Sequence, residues 1–313
     1  MINKSRISSI TESRRFAFWV FIFPGLFVFC ALIIYPVFTS FAYSLYEWEG
    51  LQRSQFLGLG NFVKLLGSDH PINARFWNAA GNNAYALAFV LIIQTSLGFF
   101  IALMLFQKLP GAKVFRALVF LPVTLSIVVV GYLFGLLLHP SWGVLNQLIG
   151  VFVEGNFSFP WLGHPRTAFT TILIINVWRW AGFPALIFLA GLNNIPSSVL
   201  DACEMDGVGP LNRVFRIYVP LIVPQLLTVL ILTITGNLRM FDIVYSLAGP
   251  TGGPNYNTDV FGTLFYRMAF GGITGLADKG MGATIGVIIV IISAVLSLLV
   301  TRILRNKRVQ LEG

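Results

Sequence analysis

The sequence is poor in charged residues. Only 11% of its 313 residues are Asp, Glu, Lys or Arg, whereas a soluble domain carries about 25%. Because 56% of the residues are hydrophobic, the polar residues are too few to cover a soluble core of that size. The composition therefore excludes an ordinary soluble protein and indicates a membrane protein.

Cysteine is also scarce, and Cys30 and Cys203 have no spacing that suits a metal site or a disulfide framework. No Gly-Lys dipeptide occurs, which excludes the GxxxxGK[ST] loop that binds nucleotide phosphates. His139 and His164 are isolated, so we interpret them as surface histidines rather than metal ligands. An intramembrane enzyme is disfavoured as well, since no nucleophile has a base near it in the sequence.

What the sequence does contain is a set of six long apolar runs. A helix needs about 20 apolar residues to cross the hydrocarbon core, and one run is interrupted by Arg179 alone. The runs are residues 16–46, 76–107, 117–138, 168–190, 217–238 and 280–301. They predict an all-α polytopic membrane protein with six transmembrane helices. No small-residue cleavage site follows the first run, so we expect it to remain as an uncleaved span.

Basic residues are distributed unevenly between the loops. If the spans alternate, thirteen Lys and Arg residues fall on one side and seven on the other, where the loops are much longer. The positive-inside rule then predicts that both termini and the 195–216 loop are cytoplasmic. The net charge of +9 is thus a topology signal, and we expect no nucleic-acid partner.

Several residues predict irregular helices. Pro122 lies inside the third run and can kink it, and Gly182 with Pro184 can loosen the fourth. Arg179 lies within a span, where a charge either lines a cavity or is satisfied by a partner or by snorkelling. Arg239 and Asp242 are three residues apart and are expected on one helical face.

Short helices are predicted in two of the loops. Residues 58–66 have the composition of a short surface helix. Residues 260–270 place four apolar side chains on one face, which suggests a helix at the membrane interface. These side chains are Phe261, Leu264, Phe265 and Met268.

The most informative segment is the polar stretch between the fourth and fifth runs. Ser198 and Asp201 have the [ST]-x-x-[DE] spacing of a helix start, and Pro196 suits a first helical position. Gly207 and the Gly209-Pro210 pair predict the end of that helix. A second short helix is expected from Leu211.

This segment resembles the EAA loop of binding-protein-dependent ABC transporter permeases. The family pattern is Glu-Ala-Ala, a Gly four residues later and an Ile-x-Leu-Pro ending. Here the corresponding positions are Asp201-Ala202-Cys203, Gly207 and Ile217-Tyr218-Val219-Pro220, with the spacing intact. The resemblance implies that the loop docks on an ATPase subunit. The docking residues would be Asp201, Ala202, Cys203, Asp206 and Gly207.

Two further segments resemble the sugar-type members of that family, namely Phe115-Arg116 followed by Leu121-Pro122, and Gly252-Gly253-Pro254. The resemblance implies the ABC importer (type I) permease fold. Residues 1–80 would hold the cytosolic N-tail, the first span and an external loop. Residues 81–303 would form the core permease domain with five spans and a cytosolic coupling loop at 195–216. Residues 304–313 would be the cytosolic tail. Comparison with maltose-type permeases implies a substrate path lined by Asn176, Arg179, Trp180, Phe183, Thr233, Asn237 and Met240.

The resemblance implies a translocation subunit, not an enzyme, of an ATP-driven importer for a carbohydrate or related polyol. Its partners would be a second homologous permease, two ATPase subunits that bind ATP and Mg, and an extracytoplasmic substrate-binding protein. It would lie among the lipids of a prokaryotic inner membrane and work by alternating access.

Two questions stay open at the level of sequence. An acidic glycan or glycerol phosphate remains an alternative to a neutral sugar, because Arg179 and Arg239 could contact an anion. The alternative function is a secondary carrier or channel without ATPase partners. Against it, the spans lack the carboxylates and histidines that proton-coupled carriers use, apart from nearby Asp242.

Overall fold

The computed structural model describes residues 4–49, 52–67, 70–107, 110–153, 157–271 and 277–312, and for residues 4–15 and 304–312 the backbone alone. Nearly all regular structure in these ranges is helical. Three helices are long and apolar enough to cross a membrane, over Phe16–Ser44, Pro71–Phe106 and Lys279–Ile303. Three bent helix pairs raise the number of spans to six if each pair is one span. The predicted six-span helical fold is confirmed in this form.

The first span consists of α1 (Lys4–Phe29), a π turn (Cys30–Ile34) and α2 (Tyr35–Ser44). An antiparallel hairpin follows, with β1 (Tyr46–Glu49) paired to β2 (Gln52–Phe56). The all-α prediction missed this hairpin, which is the one sheet among the described residues. The predicted short helix after it is confirmed as α3 (Gly60–Leu66).

The second and last spans are continuous. The second consists of α4 (Pro71–Phe89), a π turn (Val90–Gln94) and α5 (Thr95–Phe106), and the last is α17 (Lys279–Glu312). The proposed domain limits at 80/81 and 303/304 therefore fall inside α4 and α17 and mark no structural boundary. The family resemblance implied these limits, whereas the helices run through them.

The third and fourth spans are bent near the predicted breakers. α6 (Ala112–Thr124), which contains Pro122, meets α7 (Ile127–Leu137) at 98°, and α9 (Ala168–Trp180) meets α10 (Gly182–Asn193) at 41°. A β-carbon on Gly182 would lie 2.5 Å from the Val119 carbonyl oxygen. Glycine thus allows α10 to begin directly against the backbone of α6.

The fifth span is bent as well, although the sequence analysis treated it as one run. α12 (Pro210–Arg213), a π turn (Val214–Tyr218) and α13 (Val219–Leu221) precede α14 (Val223–Leu238), and the two parts meet at 72°. The remaining helices are short. They are α8 (Val144–Gly150), α11 (Ser197–Met205), α15 (Asp242–Ala248) and α16 (Phe261–Phe270).

Buried apolar residues form three clusters in the described ranges. One joins α7, α9 and α15, a second joins α3, α4, α14, α16 and α17, and a third joins α5, α10 and the first half of α14. The predicted apolar face of α16 belongs to the second cluster. This face packs against α4 and α17. The predicted helix is therefore confirmed, but the prediction that its apolar face lies at the membrane interface is wrong.

The start of α11 also differs from the prediction. The helix begins at Ser197, with Pro196 as the residue before it, and no side chain caps its first turn. Ser198 therefore lies inside the helix and forms no capping box with Asp201. The prediction placed the start one residue early, because proline is favourable both as the first residue and directly before a helix.

Candidate functional site

A cavity of about 320 Å³ lies where the break between α9 and α10 faces the end of α14. Val229, from the third cluster, and Met240 and Ile243, from the first, contribute to its wall. All seven residues of the predicted substrate path line this one cavity. They are Asn176, Arg179, Trp180, Phe183, Thr233, Asn237 and Met240.

Unpartnered amide groups make part of this wall polar. Asn237 is buried, and its side-chain oxygen and nitrogen have no hydrogen-bond partner among the described residues. Its backbone carbonyl accepts a hydrogen bond from Asn83 Nδ2 at 3.3 Å, and Asn83 Oδ1 accepts from the Phe261 amide at 2.7 Å. Asn83 thus ties the end of α14 to the start of α16. The Asn237 amide is therefore buried beside the cavity without a partner among the described residues, which costs free energy.

Arg179 both lines the cavity and has a hydrogen-bond partner within the protein, the two roles that the sequence left open. Its Nη2 donates to the Leu125 carbonyl at 3.3 Å, while its Nε is buried without a partner among the described residues. Leu125 directly follows α6, so the bend frees its carbonyl from helical pairing. The guanidinium carbon lies 5.1 Å from the centre of the Trp180 ring. Arg179 therefore anchors the bent third span and also forms cavity wall.

Arg239 and Asp242 line the cavity too, but they do not share a helical face. α14 ends at Leu238 and α15 begins at Asp242, so the chain between them is not helical. Within the described ranges, no ion pair within 4.0 Å joins these two side chains. The prediction was wrong because it extended the helical spacing past the end of the helix.

The EAA-like loop, residues 195–216, is a compact pair of short helices. At the end of α11 the Gly207 amide donates to the Glu204 carbonyl at 3.2 Å and the Val208 amide to the Cys203 carbonyl at 3.0 Å. This is a Schellman motif, and it requires the positive φ of +61° found at Gly207. The predicted stop at Gly207 is confirmed.

The predicted docking residues differ in exposure. Asp201, Ala202, Asp206 and Gly207 are exposed, whereas Cys203 is buried against the rest of the chain. Met205 of α11 is 88% exposed, and Leu211 and Phe215 of the next helices are exposed as well. These three apolar side chains enlarge the exposed surface of the loop. The residue types alone do not distinguish the exposed side of Met205 from the buried side of Cys203.

The chain was compared with known protein families. The family described as "Binding-protein-dependent transport system inner membrane component" matches residues 94–309. The chain belongs to this family. It is a membrane permease subunit of a binding-protein-dependent ABC transporter, and the alternative of an independent secondary carrier is not favoured.

Three relatives of this permease align along most of the chain. The lactose transport system permease protein LacF of Rhizobium radiobacter is 31% identical over 90% of this chain and 91% of its own length. The trehalose/maltose transport system permease protein MalF of Thermococcus litoralis is 32% identical over 86% and 87%. The probable ABC transporter permease protein YurN of Bacillus subtilis is 30% identical over 90% and 93%.

A solved structure shares the fold of the permease. It is the crystal structure of a bacterial ABC transporter involved in the import of the acidic polysaccharide alginate, with a TM-score of 0.80. The match covers 96% of this chain and 99% of that one at 23% identity. The importer permease fold expected from the resemblance is thereby confirmed. The roles of the cavity residues and of the EAA-like loop remain predictions.

Proposed function

We propose that this permease imports a carbohydrate or related polyol and that the cavity is part of its path. The observation that carries this proposal is the cavity wall itself. It combines unpaired amide groups with the Thr233 hydroxyl and two aromatic rings, Trp180 and Phe183, whose centres are 6.1 Å apart. Hydroxyl-rich ligands need hydrogen-bonding groups, and sugar rings also stack on aromatic faces. The names of the lactose and trehalose/maltose relatives support the same substrate class.

The size and position of the cavity suit that role. Its volume of about 320 Å³ lies at the lower end of the roughly 300–1,000 Å³ usual for small-molecule sites. Transporters bind substrate where spanning helices are interrupted, since the backbone there faces a cavity and not lipid. In this permease the cavity adjoins the break between α9 and α10 and the end of α14. Rearrangement at these interruptions would open the cavity to one side and then to the other.

The EAA-like loop would transmit the movement. ATP and Mg bound by two partner ATPase subunits would supply the free energy, since the sequence contains no nucleotide-binding loop of the usual kind. Exposed apolar side chains of the loop, Met205, Leu211 and Phe215, have the character of an interaction site. Arg213 lies 3.6 Å from Glu204 and links α12 to α11. Together with buried Cys203, this contact would make the two helices move as one unit.

The remaining partners follow from the family. We propose a second homologous permease and an extracytoplasmic substrate-binding protein, with the chain in a prokaryotic inner membrane and both termini cytoplasmic. A solved alginate transporter of the same fold was crystallised with a periplasmic protein that holds an alginate pentasaccharide. This supports delivery of substrate by a binding protein.

Purification of the tagged permease from its native host tests the assignment. We expect an ATPase to co-purify and the complex to take up carbohydrate into liposomes only with ATP. Exchanging Asp201→Lys and Asp206→Lys together reverses the charge of the exposed loop surface and is expected to remove the ATPase. Gln55→Lys, an exposed position on β2, adds the same side chain elsewhere and is expected to have no effect. ATP-independent transport by the chain alone would overturn the proposal.

A further inference from the structure

The second span is continuous but contains the π turn Val90–Gln94. Such turns insert an extra residue into a helix and weaken its hydrogen bonding, and they occur frequently at functional sites. This turn packs against both α9 and α14. Those two helices carry five of the seven predicted path residues, while Phe183 lies on α10 and Met240 follows the end of α14. The π turn therefore brings a third span to the wall of the cavity.

Gln94 closes the turn and lines the cavity. Its side chain is 7% exposed, yet its amide makes no hydrogen bond to any described residue. Ile92 and Ile93 of the same turn are 64% and 45% exposed and point away from the core. The turn thus directs Ile92 and Ile93 outward, whereas Val90 and Gln94, its only polar residue, line the cavity.

An amide in this setting is available to a ligand in the cavity. Burying a primary amide without a partner destabilises the folded protein, so an unpaired one is kept where an occupant completes its hydrogen bonding. Asn237, on the same cavity wall, has a fully buried amide without a partner among the described residues, whereas Gln94 lines the cavity itself. Two amides from different spans, each able to donate and to accept, match the alternating donors and acceptors of sugar hydroxyls.

We propose that Gln94 is a direct hydrogen-bonding ligand of the transported carbohydrate, presented to the cavity by the π turn. This inference rests on the proposed function of the cavity. It adds a specificity residue on the second span, where neither sequence pattern nor family resemblance indicated one. A site built to bond a hydroxyl discriminates against an analogue that lacks it, because the protein group is then left unpaired.

Uptake by the reconstituted full complex tests the inference. A panel of labelled saccharides that includes lactose, trehalose and maltose first identifies a sugar that the wild type carries. Maximal uptake of that sugar is then compared with uptake of its single-deoxy analogues. Gln94→Ala is expected to lower uptake of the intact sugar roughly three- to tenfold, the effect of losing one neutral hydrogen bond. For one deoxy analogue the wild type and the variant are expected to be equal.

The controls separate the contact from the fold. Ile93→Ala removes a larger side chain from the same turn on its exposed side and is expected to leave uptake unchanged. Co-purified ATPase and its basal hydrolysis report assembly of each variant. An equal loss for the intact sugar and every analogue would assign Gln94 a structural role only and overturn the inference, as would full activity of Gln94→Ala. Failure of the wild type to carry any saccharide would instead overturn the proposed function, on which the inference rests.

Discussion

Asp259 and Arg267 form the most deeply buried ion pair among the described residues. Arg267 Nη2 donates to Asp259 Oδ2, and its Nη1 lies 2.9 Å both from Asp259 Oδ1 and from the Pro250 carbonyl. The Thr263 hydroxyl donates to Asp259 Oδ1 at 2.5 Å. These bonds fasten the loop before α16 to the helix itself, next to the end of α14 that forms the cavity.

Replacement of Asp259 by Ala is therefore expected to be strongly destabilising. It leaves the Arg267 charge buried without its partner, which costs about 3–5 kcal/mol. The exposed pair Lys64–Glu47, with an oxygen–nitrogen distance of 2.9 Å, provides the control. Glu47→Gln is expected to cost no more than about 1 kcal/mol. Thermal unfolding of the purified complex in detergent measures both, and equal midpoints for the two variants would contradict the expected contrast.

The sequence predicted the cavity residues named above but neither the Asp259–Arg267 ion pair nor the role proposed for Gln94. The seven cavity residues were predicted from the resemblance to maltose-type permeases, and the structure places them around one cavity. The sequence did not predict the Asp259–Arg267 ion pair, because the two residues are eight positions apart and meet only after the loop folds back on α16. Gln94 was missed because an amide inside an apolar run looks like a neutral interruption until the π turn gives it a direction.

At the scale of elements, the turn at Gly207 joins two helices that must keep a fixed relation if the loop transmits movement. Its φ of +61° is costly for any residue with a β-carbon. Gly207→Val is therefore expected to distort the Schellman motif and to uncouple ATP hydrolysis by the complex from uptake. Gly209→Val adds the same side chain at a φ of −63°, which valine adopts without strain.

The ratio of transported sugar to hydrolysed ATP is the quantity to measure. We expect it to fall for Gly207→Val and to stay near the wild-type value for Gly209→Val. A similar fall in both variants would show that bulk on the loop surface matters and the turn does not. Unchanged coupling in Gly207→Val would refute the role assigned to the loop.

The spans and their bends could be predicted where a local sequence feature determines them. Long apolar runs determined the spans, and Pro122 and Gly182 marked two of the three bends. The third bend, at Ile222, was missed, although Pro220 and Pro224 flank it, because the apolar run continues through it without a polar break. The hairpin between β1 and β2 was missed because both strands are short and β2 lacks an alternating apolar pattern.

For the molecule as a whole, the unequal distribution of basic residues predicts the orientation. Thirteen Lys and Arg residues lie on the side of the EAA-like loop and seven on the other, and the positive-inside rule assigns the richer side to the cytoplasm. The orientation decides whether the loop can meet an ATPase at all. It also decides on which side a binding protein would deliver substrate to the cavity.

Single cysteines report that orientation directly. In a Cys30→Ala, Cys203→Ala background, Met205→Cys on α11 and Gln55→Cys on β2 each place one exposed thiol at a described position. In vesicles stripped of the partner ATPase, which would otherwise cover Met205, we expect a membrane-impermeant maleimide to label Gln55→Cys but not Met205→Cys when the vesicles are right-side-out. The reverse is expected in inverted vesicles. Permeabilised vesicles should label both, which controls for reactivity. Labelling of Met205→Cys from outside would invert the topology, and the EAA-like loop could then no longer dock on a cytoplasmic ATPase.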